Sequence, residues 1–163
     1  MFKITFDLIE FIDPNINSSL TKLALFDLDD TLTKYSRNST ADYLCTNEFV
    51  IKKLQNLYKN GYFIAITSNQ NILNREKARI PDFKLKLTKF LEDLKVPVYF
   101  VGAPTYSQYR KPALGMLAKV LTKIDLTREI ANNLILLDDK STNINKYSKI
   151  ELKSKKNQLI KLI

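Results

Sequence analysis

The stretch 23–33 (Leu-Ala-Leu-Phe-Asp-Leu-Asp-Asp-Thr-Leu-Thr) constrains the fold of this chain more than any other. Its first four residues are apolar, which is typical of a short strand covered on both faces. The run ends in Asp27, Asp29 and Asp30, whose carboxylates repel one another and are costly to remove from water. Because ligands bind at the carboxyl ends of parallel strands in open α/β sheets, we expect a hard cation, Mg²⁺, among these carboxylates. By themselves, the same residues also fit an acidic turn that caps the next segment.

The composition excludes several classes of enzyme and site. The chain has no histidine and a single cysteine, Cys45, which excludes His-based catalysis, an internal disulfide and a Cys-rich zinc site. Carboxylates are therefore the remaining acid–base groups near neutral pH. The 163 residues suffice for one domain with a hydrophobic core and are too few for two ordinary ones, so we predict a single domain over 1–163.

Charge and hydropathy bear on partners and location. The net charge of +9, from 26 basic and 17 acidic residues, favours a polyanionic partner such as nucleic acid, although solubility alone also accounts for such an excess. Lys3, Asp7 and Glu10 interrupt the apolar N-terminal stretch, which argues against a secretory signal. Since no apolar run is long enough to span a bilayer, we expect no membrane partner and a reducing intracellular compartment, cytoplasm or nucleus.

Strand and helix patterns alternate along the chain. Apolar alternation within 1–20 indicates an edge strand or hairpin. Buried strands are predicted at 23–26, 62–67, 96–101 and 134–137, and helices at 46–60, 71–94 with a break at Pro81, and 112–123. This order predicts an α/β fold with a mostly parallel sheet, in which the polar residues that follow each strand meet at one edge.

The polar residues that follow the predicted strands fit a single kind of chemistry, the transfer of a phosphoryl group. Ser68 follows the strand 62–67, Asp138 and Asp139 follow the strand 134–137, and Lys111 precedes Pro112 at a predicted helix start, a position suited to anions. Together with the first acidic strand end, they suit a phosphoryl group beside Mg²⁺. Ser68 and Lys111 would neutralise the phosphoryl oxygens, and Asp139 would help to hold the metal.

The two leading aspartates have distinct predicted roles. Asp27 attacks phosphorus in line. Asp29 protonates the departing oxygen and then deprotonates the water that splits the aspartyl-phosphate.

Basic and aromatic residues around this edge are candidate substrate contacts. Lys34 and Arg37 lie in a polar loop that either meets phosphates or is simply solvated. Tyr106 and Tyr109 beside Arg110 form the aromatic and basic combination that holds single strands by stacking. The segment 71–94 either tracks a phosphate backbone or carries an ordinary charged face, formed by Arg75, Lys77, Arg79, Lys84, Lys86 and Lys89.

Several motifs carry a resemblance to a known family. The segment 26–32 (Phe-Asp-Leu-Asp-Asp-Thr-Leu) resembles motif I of the haloacid dehalogenase (HAD) superfamily, and Ser68, Lys111 and Asp138 or Asp139 fall where its motifs II, III and IV are expected. The segments 68–70 (Ser-Asn-Gln) and 109–112 (Tyr-Arg-Lys-Pro), followed by Gly-Met at 115–116, resemble the 3′-phosphatase domain of polynucleotide kinase 3′-phosphatase.

The sequence departs from the family pattern at three places. Asp30 replaces a frequent glycine, Ser68 replaces threonine, and Asp138-Asp139-Lys140 replaces a Gly-Asp-Ala-Ala-Gly-Arg-like segment. None of these changes removes a catalytic group. Which of Asp138 and Asp139 binds the metal stays open.

The resemblance, which covers roughly 20–145, implies a fold and an activity. The fold is a Rossmann-like, three-layer sandwich of the HAD type with little or no cap. The activity is Mg²⁺-dependent removal of 3′-phosphate from DNA ends through an aspartyl-phosphate, in DNA repair. The kinase partner domain of that family is not expected, because no Gly-x-x-x-x-Gly-Lys-Ser/Thr motif occurs. The alternatives are a general or protein phosphatase of the same superfamily and a non-catalytic DNA-end-binding module.

The residue patterns and the resemblance together give the expected site residues and partners. The expected metal ligands are Asp27, Asp29, Asp138 and Asp139. The expected substrate contacts are Thr31, Lys34, Arg37, Asn69, Arg75, Tyr109 and Arg110. The expected partners are single-stranded, nicked or gapped DNA 3′ ends and other repair proteins such as a ligase or polymerase.

Overall fold

The computed structural model describes residues 1–20, 22–34, 48–124 and 134–138. The predicted site residues Arg37 and Asp139 lie outside these ranges. The described strands are β1 (Phe2–Ile4), β2 (Ile9–Ile12), β3 (Lys22–Phe26), β4 (Tyr62–Asn69), β5 (Val98–Ala103) and β6 (Leu134–Leu137). The described helices are α1 (Glu48–Lys59), α2 (Ile72–Arg75), a 3₁₀ turn (Lys77–Arg79), α3 (Ile80–Leu94) and α4 (Gly115–Leu121).

The six strands form one sheet in the order β1-β2-β5-β4-β3-β6. β3 is parallel to both β4 and β6, and β4 is parallel to β5. β1 and β2 form an antiparallel hairpin that adds to the free side of β5. The predicted α/β class, the mostly parallel sheet and the N-terminal edge hairpin are therefore confirmed.

Helices cover both faces of the sheet. Along β3, Leu23 and Leu25 pack with the α4 layer, whereas Ala24 and Phe26 pack with the layer formed by α1 and α3. This strand faces a core on each side, which explains why its sequence shows an unbroken apolar run instead of alternation. The result is the three-layer arrangement expected for the HAD type.

The helix α3 carries its buried side chains at a regular helical spacing. Phe83, Leu87, Phe90 and Leu94 all face the core, at intervals of four, three and four residues. Pro81 lies in its first turn, where a missing N–H costs nothing. None of the helices in the described parts of the chain is long and apolar enough to cross a membrane.

The prediction of a helix from Pro112 to about Lys123 was wrong at its start, because α4 begins at Gly115. The preceding residues form turns, in which Gly115 N–H donates to the Gln108 carbonyl over 3.1 Å. A Cβ at Gly115 would lie 2.5 Å from that carbonyl oxygen, so the close approach requires glycine. Lys111 therefore does not lie at a helix N-terminus, and its position has another cause.

Candidate active site

The ends of three parallel strands bring the candidate residues together. Phe26 at the end of β3 pairs with Ile66 of β4 and with Leu137 of β6. Asp27 and Asp138 are the next residues on their strands, and Asp27 N–H donates to the Leu137 carbonyl over 2.9 Å. Both side chains line one small cavity with Thr67 of β4. The meeting of two acidic strand ends follows directly from this parallel register.

Lys111 joins the two carboxylates. Its Nζ lies 2.5 Å from Asp27 Oδ1 and 2.5 Å from Asp138 Oδ2. Lys111 is 5% exposed and Asp27 is 7% exposed, so this cluster is almost entirely removed from water. Two carboxylates therefore contact one ammonium group in a buried place.

Asn69 fixes the backbone of Lys111. The Asn69 side-chain oxygen accepts from Lys111 N–H over 2.8 Å, and its amide nitrogen donates to the Lys111 carbonyl over 3.1 Å. This two-point contact, rather than a helix N-terminus, holds Lys111 beside the strand ends. Asn69 was expected to contact substrate, whereas here its amide acts on the protein backbone.

Asp29 belongs to a second cluster. Its Oδ1 lies 2.6 Å from Lys86 Nζ, and its Oδ2 accepts from Gln70 Nε2 over 2.5 Å. The same Gln70 nitrogen donates to Ser68 Oγ over 2.9 Å. One chain of contacts thus runs from Ser68 of β4 through Gln70, which follows β4, to Asp29 in the turn after β3. It ends at Lys86 of the helix α3.

Sequence reasoning missed the part played by Lys86. It was grouped with a basic helix surface, but it is 6% exposed and pairs with Asp29. The helical spacing contained the information, because Lys86 lies three residues after Phe83 and four before Phe90, on the buried face of α3. Gln70 was recognised only as part of a motif, without a role.

The pKa of Asp27 is raised from its ordinary value of 3.8 to about 6. Burial is the main cause, because it disfavours the charged carboxylate. The Lys111 charge and hydrogen bond act in the opposite direction, and the neighbouring charges of Asp138 and Asp29 raise the pKa further. The negative charge at Asp27 is therefore only partly compensated by the protein.

The donor set is suited to a hard cation. Among the described residues, no three Asp, Glu, His or Cys side chains form a metal-binding cluster. Asp27 and Asp138 still converge on one point, and Mg²⁺ is commonly held by one or two carboxylates together with water and substrate phosphate. Asp29 fits this site less well than was expected, since Lys86 and Gln70 contact both of its carboxylate oxygens.

The turn after β3 holds Asp29 and Thr31. Asp30 has a φ of 62°, a left-handed conformation that favours glycine but that aspartate tolerates. This explains how an aspartate can stand where the resembled motif often has glycine. The buried Thr31 Oγ1 has no hydrogen-bond partner within the described part of the chain, which makes it available to a bound group.

The predicted substrate contacts separate into buried and exposed residues. Tyr109 is 7% exposed and packs in the α4-side core, so its predicted role as a stacking surface was wrong. Gly115 permits this packing, because a Cβ there would lie 2.9 Å from the Tyr109 ring. Lys34 and Arg75 are exposed, as a contact to a long substrate requires.

The exposed Tyr106 and the half-buried Arg110 form a pair that precedes Lys111 in the chain. Tyr106 is 75% exposed, and the Arg110 guanidinium carbon lies 4.2 Å from the centre of its ring. The Arg110 Nη1 atom is buried and lacks a hydrogen-bond partner among the residues described. This nitrogen is therefore free to donate to an anionic ligand.

Sequence comparison decides the family. The sequence profile of the family described as Polynucleotide kinase 3 phosphatase matches residues 22–157. The chain belongs to this family. The resemblance inferred from motif I and from the segments 68–70 and 109–112 is thereby confirmed.

Two curated proteins are similar to this chain over most of its length. The chain is 31% identical over 116 residues to the bifunctional polynucleotide phosphatase/kinase of Schizosaccharomyces pombe, a match that covers 68% of this chain and 28% of that protein. It is 34% identical over 116 residues to an uncharacterized 20.8 kDa protein of Autographa californica nuclear polyhedrosis virus, covering 64% of this chain and 61% of the viral protein. The chain thus spans only part of the length of each.

Two solved structures share the fold. A protein described as a HAD-like phosphatase from Mesorhizobium loti superposes with a TM-score of 0.68 at 13% identity, covering 88% of this chain and 76% of that one. D,D-heptose 1,7-bisphosphate phosphatase from B. bronchiseptica, complexed with magnesium and phosphate, gives a TM-score of 0.61 at 16% identity, covering 78% and 75%. At these identities the likeness concerns the fold alone, and it confirms the HAD type.

Proposed function

We propose that this family member is a Mg²⁺-dependent polynucleotide 3′-phosphatase that removes the 3′-phosphate from DNA ends through an aspartyl-phosphate. The observation that carries the proposal is the buried cluster in which Lys111 Nζ lies 2.5 Å from both Asp27 and Asp138. A cluster with two carboxylates and one ammonium group suits a transferred phosphoryl group together with a metal ion. A module that only bound polyanions would gain nothing from an acidic pocket.

Asp27 is the proposed nucleophile. A carboxylate oxygen of Asp27 bonds to phosphorus while the bond from phosphorus to the 3′ oxygen breaks, which leaves an aspartyl-phosphate and a departing oxygen. Lys111 donates to the phosphoryl oxygens during this step. Because Asn69 holds the Lys111 backbone at two points, the ammonium group is in place before the substrate binds.

Asp29 is the proposed acid and base. It gives a proton to the departing 3′ oxygen and then takes one from the water that attacks the aspartyl-phosphate, which releases inorganic phosphate and restores Asp27. Ser68 Oγ accepts a hydrogen bond from Gln70, which leaves its own hydroxyl hydrogen to be donated to a phosphoryl oxygen as far as the described contacts go. Thr31 Oγ1, in the turn after β3, offers a second hydroxyl, which has no hydrogen-bond partner among the described residues.

Asp27 and Asp138 are the residues that would hold Mg²⁺, and Asp139 is a further proposed ligand. When bound, Mg²⁺ supplies positive charge that offsets the carboxylates and the phosphoryl oxygens. The raised pKa of Asp27 supports a cation at this place, because burial and neighbouring carboxylates leave its charge under-compensated. The magnesium and phosphate in the B. bronchiseptica phosphatase, which has the same fold, are consistent with this proposal.

A DNA 3′ end is the proposed substrate. The net charge of +9 favours a polyanion, and the Schizosaccharomyces pombe relative is described as a polynucleotide phosphatase/kinase. The Tyr106–Arg110 pair, in which Tyr106 is exposed and Arg110 half-buried, precedes Lys111, and we place the nucleotide that carries the phosphate against it. Lys34 and Arg75 would contact phosphates farther along the strand. A role in DNA repair in the cytoplasm or nucleus, with a ligase or polymerase as partner, follows from such a substrate.

Four substrates test the proposal. Rates with Mg²⁺ are measured on a 3′-phosphorylated oligonucleotide, the same oligonucleotide with a 5′-phosphate, p-nitrophenyl phosphate and a phosphopeptide. We expect kcat/KM to be highest for the 3′-phosphate, since contacts remote from phosphorus serve only the longer substrate. Equal rates on 3′ and 5′ ends, or no gain over p-nitrophenyl phosphate, would show a general phosphatase. Preference for the phosphopeptide would show a protein phosphatase.

A further inference from the structure

Lys86 is a buried charged residue that the proposed reaction does not yet use. We propose that Lys86 is a positioning residue that, together with Gln70, holds the Asp29 carboxylate in the orientation from which it acts on the departing oxygen and the attacking water. This inference rests on the proposed function, because it assigns a role around the same acid and base.

The geometry fixes Asp29 at both of its oxygens. Lys86 Nζ lies 2.6 Å from Oδ1, and Gln70 Nε2 donates to Oδ2 over 2.5 Å. A carboxylate held from two sides cannot rotate freely about its terminal bond. Gln70 also contacts Ser68, so the orientation of Asp29 is tied to that of a second residue of the site. Preorganisation of this kind lowers the cost of reaching a reactive geometry.

The burial of Lys86 argues for a role other than stability. Its side chain is 7% exposed and that of Asp29 is 17% exposed, although Lys86 stands on the apolar face of α3. An apolar residue of similar volume at such a place is often neutral or stabilising, whereas a buried ammonium group is costly. A lysine here is best explained by what it does to Asp29.

An exposed ion pair offers a matched control. Lys52 Nζ lies 3.0 Å from Glu48 on α1, and the two side chains are 68% and 80% exposed. Removing Lys52 also breaks one lysine–carboxylate contact, but in water and in a pair that contains none of the proposed site residues. Lys52→Met therefore controls for the loss of one positive charge from a helix.

The test compares Lys86→Met, Lys86→Arg and Lys52→Met, with kcat, KM and the amount of acid-stable aspartyl-phosphate measured for each. With p-nitrophenyl phosphate we expect Lys86→Met to lower kcat about tenfold or more with little change in KM, since proton transfer contributes about 10²–10⁴ in rate. The aspartyl-phosphate should accumulate, because p-nitrophenolate leaves without an acid while water attack still needs Asp29. Lys86→Arg should recover part of the rate, and Lys52→Met should match the wild type.

A double-mutant cycle shows whether Lys86 acts through Asp29. In an Asp29→Asn background, Lys86→Met should cause no further loss, because the group it positions is already inactive. Multiplicative losses in the double variant would overturn the proposal. So would wild-type kinetics for Lys86→Met, or a rise in KM without a fall in kcat.

Gln70→Ala keeps the proposal testable if Lys86→Met does not fold. It removes the other contact to Asp29 without changing a charge, and we expect the same accumulation of aspartyl-phosphate with a smaller fall in kcat. Absence of accumulation in a folded Gln70→Ala protein would overturn the proposal. These outcomes are distinct from failure of the proposed function, in which the wild type ignores the 3′-phosphate or the Asp27→Asn protein stays active.

Discussion

The site has two halves that handle charge differently. Around Asp27, two carboxylates share the single ammonium group of Lys111. Around Asp29, one carboxylate faces one ammonium group, that of Lys86, and one amide, that of Gln70. The first half brings two carboxylates to one ammonium group, an arrangement that suits the proposed cation, whereas the second pairs one carboxylate with one ammonium group. This difference matches a division of work between phosphoryl transfer and proton transfer.

Loss of the nucleophile should have the largest effect. We expect Asp27→Asn to abolish turnover while the protein stays folded. The Asp29 carboxylate contacts Lys86 and cannot replace Asp27 as the nucleophile. Activity on p-nitrophenyl phosphate, with circular dichroism as the control for folding, measures this. A folded Asp27→Asn protein with near-normal turnover would contradict the assignment of Asp27 as the nucleophile.

Removal of the metal should also abolish phosphatase activity. Activity should vanish in excess EDTA and return with Mg²⁺ and without zinc, since two carboxylates and a bound phosphoryl group would meet at the Asp27 half. Full activity in the chelator would mean that Lys111 suffices to balance this half.

The free energy of unfolding of the metal-free protein should depend on pH, because burial raises the pKa of Asp27. A folded-state pKa of about 6 against an ordinary 3.8 means that the Asp27 contribution to stability is fully present below about pH 4 and is lost as the pH rises through about 6. The loss corresponds to about 3 kcal/mol. In EDTA, urea unfolding should therefore find Asp27→Asn more stable than the wild type at pH 8 and no more stable near pH 4.

Asp29→Asn gives the contrasting measurement. It should not stabilise the protein at pH 8, because it leaves the buried Lys86 ammonium without its carboxylate. Equal gains for the two substitutions would remove the distinction between the halves.

The contact between Asn69 and the Lys111 backbone should affect kcat, because it holds Lys111 in place. Asn69→Ala frees the Lys111 backbone at two points, so we expect kcat to fall about tenfold, within the range known for displaced electrostatic groups. KM for p-nitrophenyl phosphate should change little. A change confined to KM for the oligonucleotide would instead support a direct contact between Asn69 and substrate.

The smallest expected effect concerns Arg110 and the other basic residues outside the two halves, which would contact the DNA strand. The kcat/KM for a 3′-phosphorylated oligonucleotide should fall with salt, because each phosphate contact releases roughly 0.7–0.9 counterion. Hydrolysis of p-nitrophenyl phosphate should respond little. Arg110→Ala should weaken the first activity several-fold more than the second, and equal losses would place Arg110 at the phosphoryl group itself.

Local sequence patterns predicted the strands and their acidic ends. The apolar runs that became β3 and β4 are set by burial on both faces. The run 134–137 was predicted as a buried strand, but β6 is the outermost described strand and its Leu137 is 50% exposed. The polar residues after all three strands still end at the same edge of a parallel sheet. The convergence of Asp27 and Asp138 could therefore be anticipated from the chain alone.

Contacts between distant segments could not be anticipated in the same way. The late start of α4 depends on how closely Gly115 approaches the Gln108 carbonyl, and the burial of Tyr109 depends on the same packing. Lys86 meets Asp29 across 57 positions of sequence. Its place on the apolar stripe of α3 was visible, but the carboxylate it pairs with was not.

The most direct test of the account is the location of the phosphoryl group. An Asp29→Asn protein is mixed with p-nitrophenyl phosphate and Mg²⁺, quenched in acid and mapped by mass spectrometry. We expect the phosphoryl group on Asp27 and nowhere else, because this variant retains the nucleophile but lacks the base that clears the intermediate. A phosphoryl group on another residue, or none on a variant that still releases p-nitrophenol in a burst, would contradict the division of work between Asp27 and Asp29.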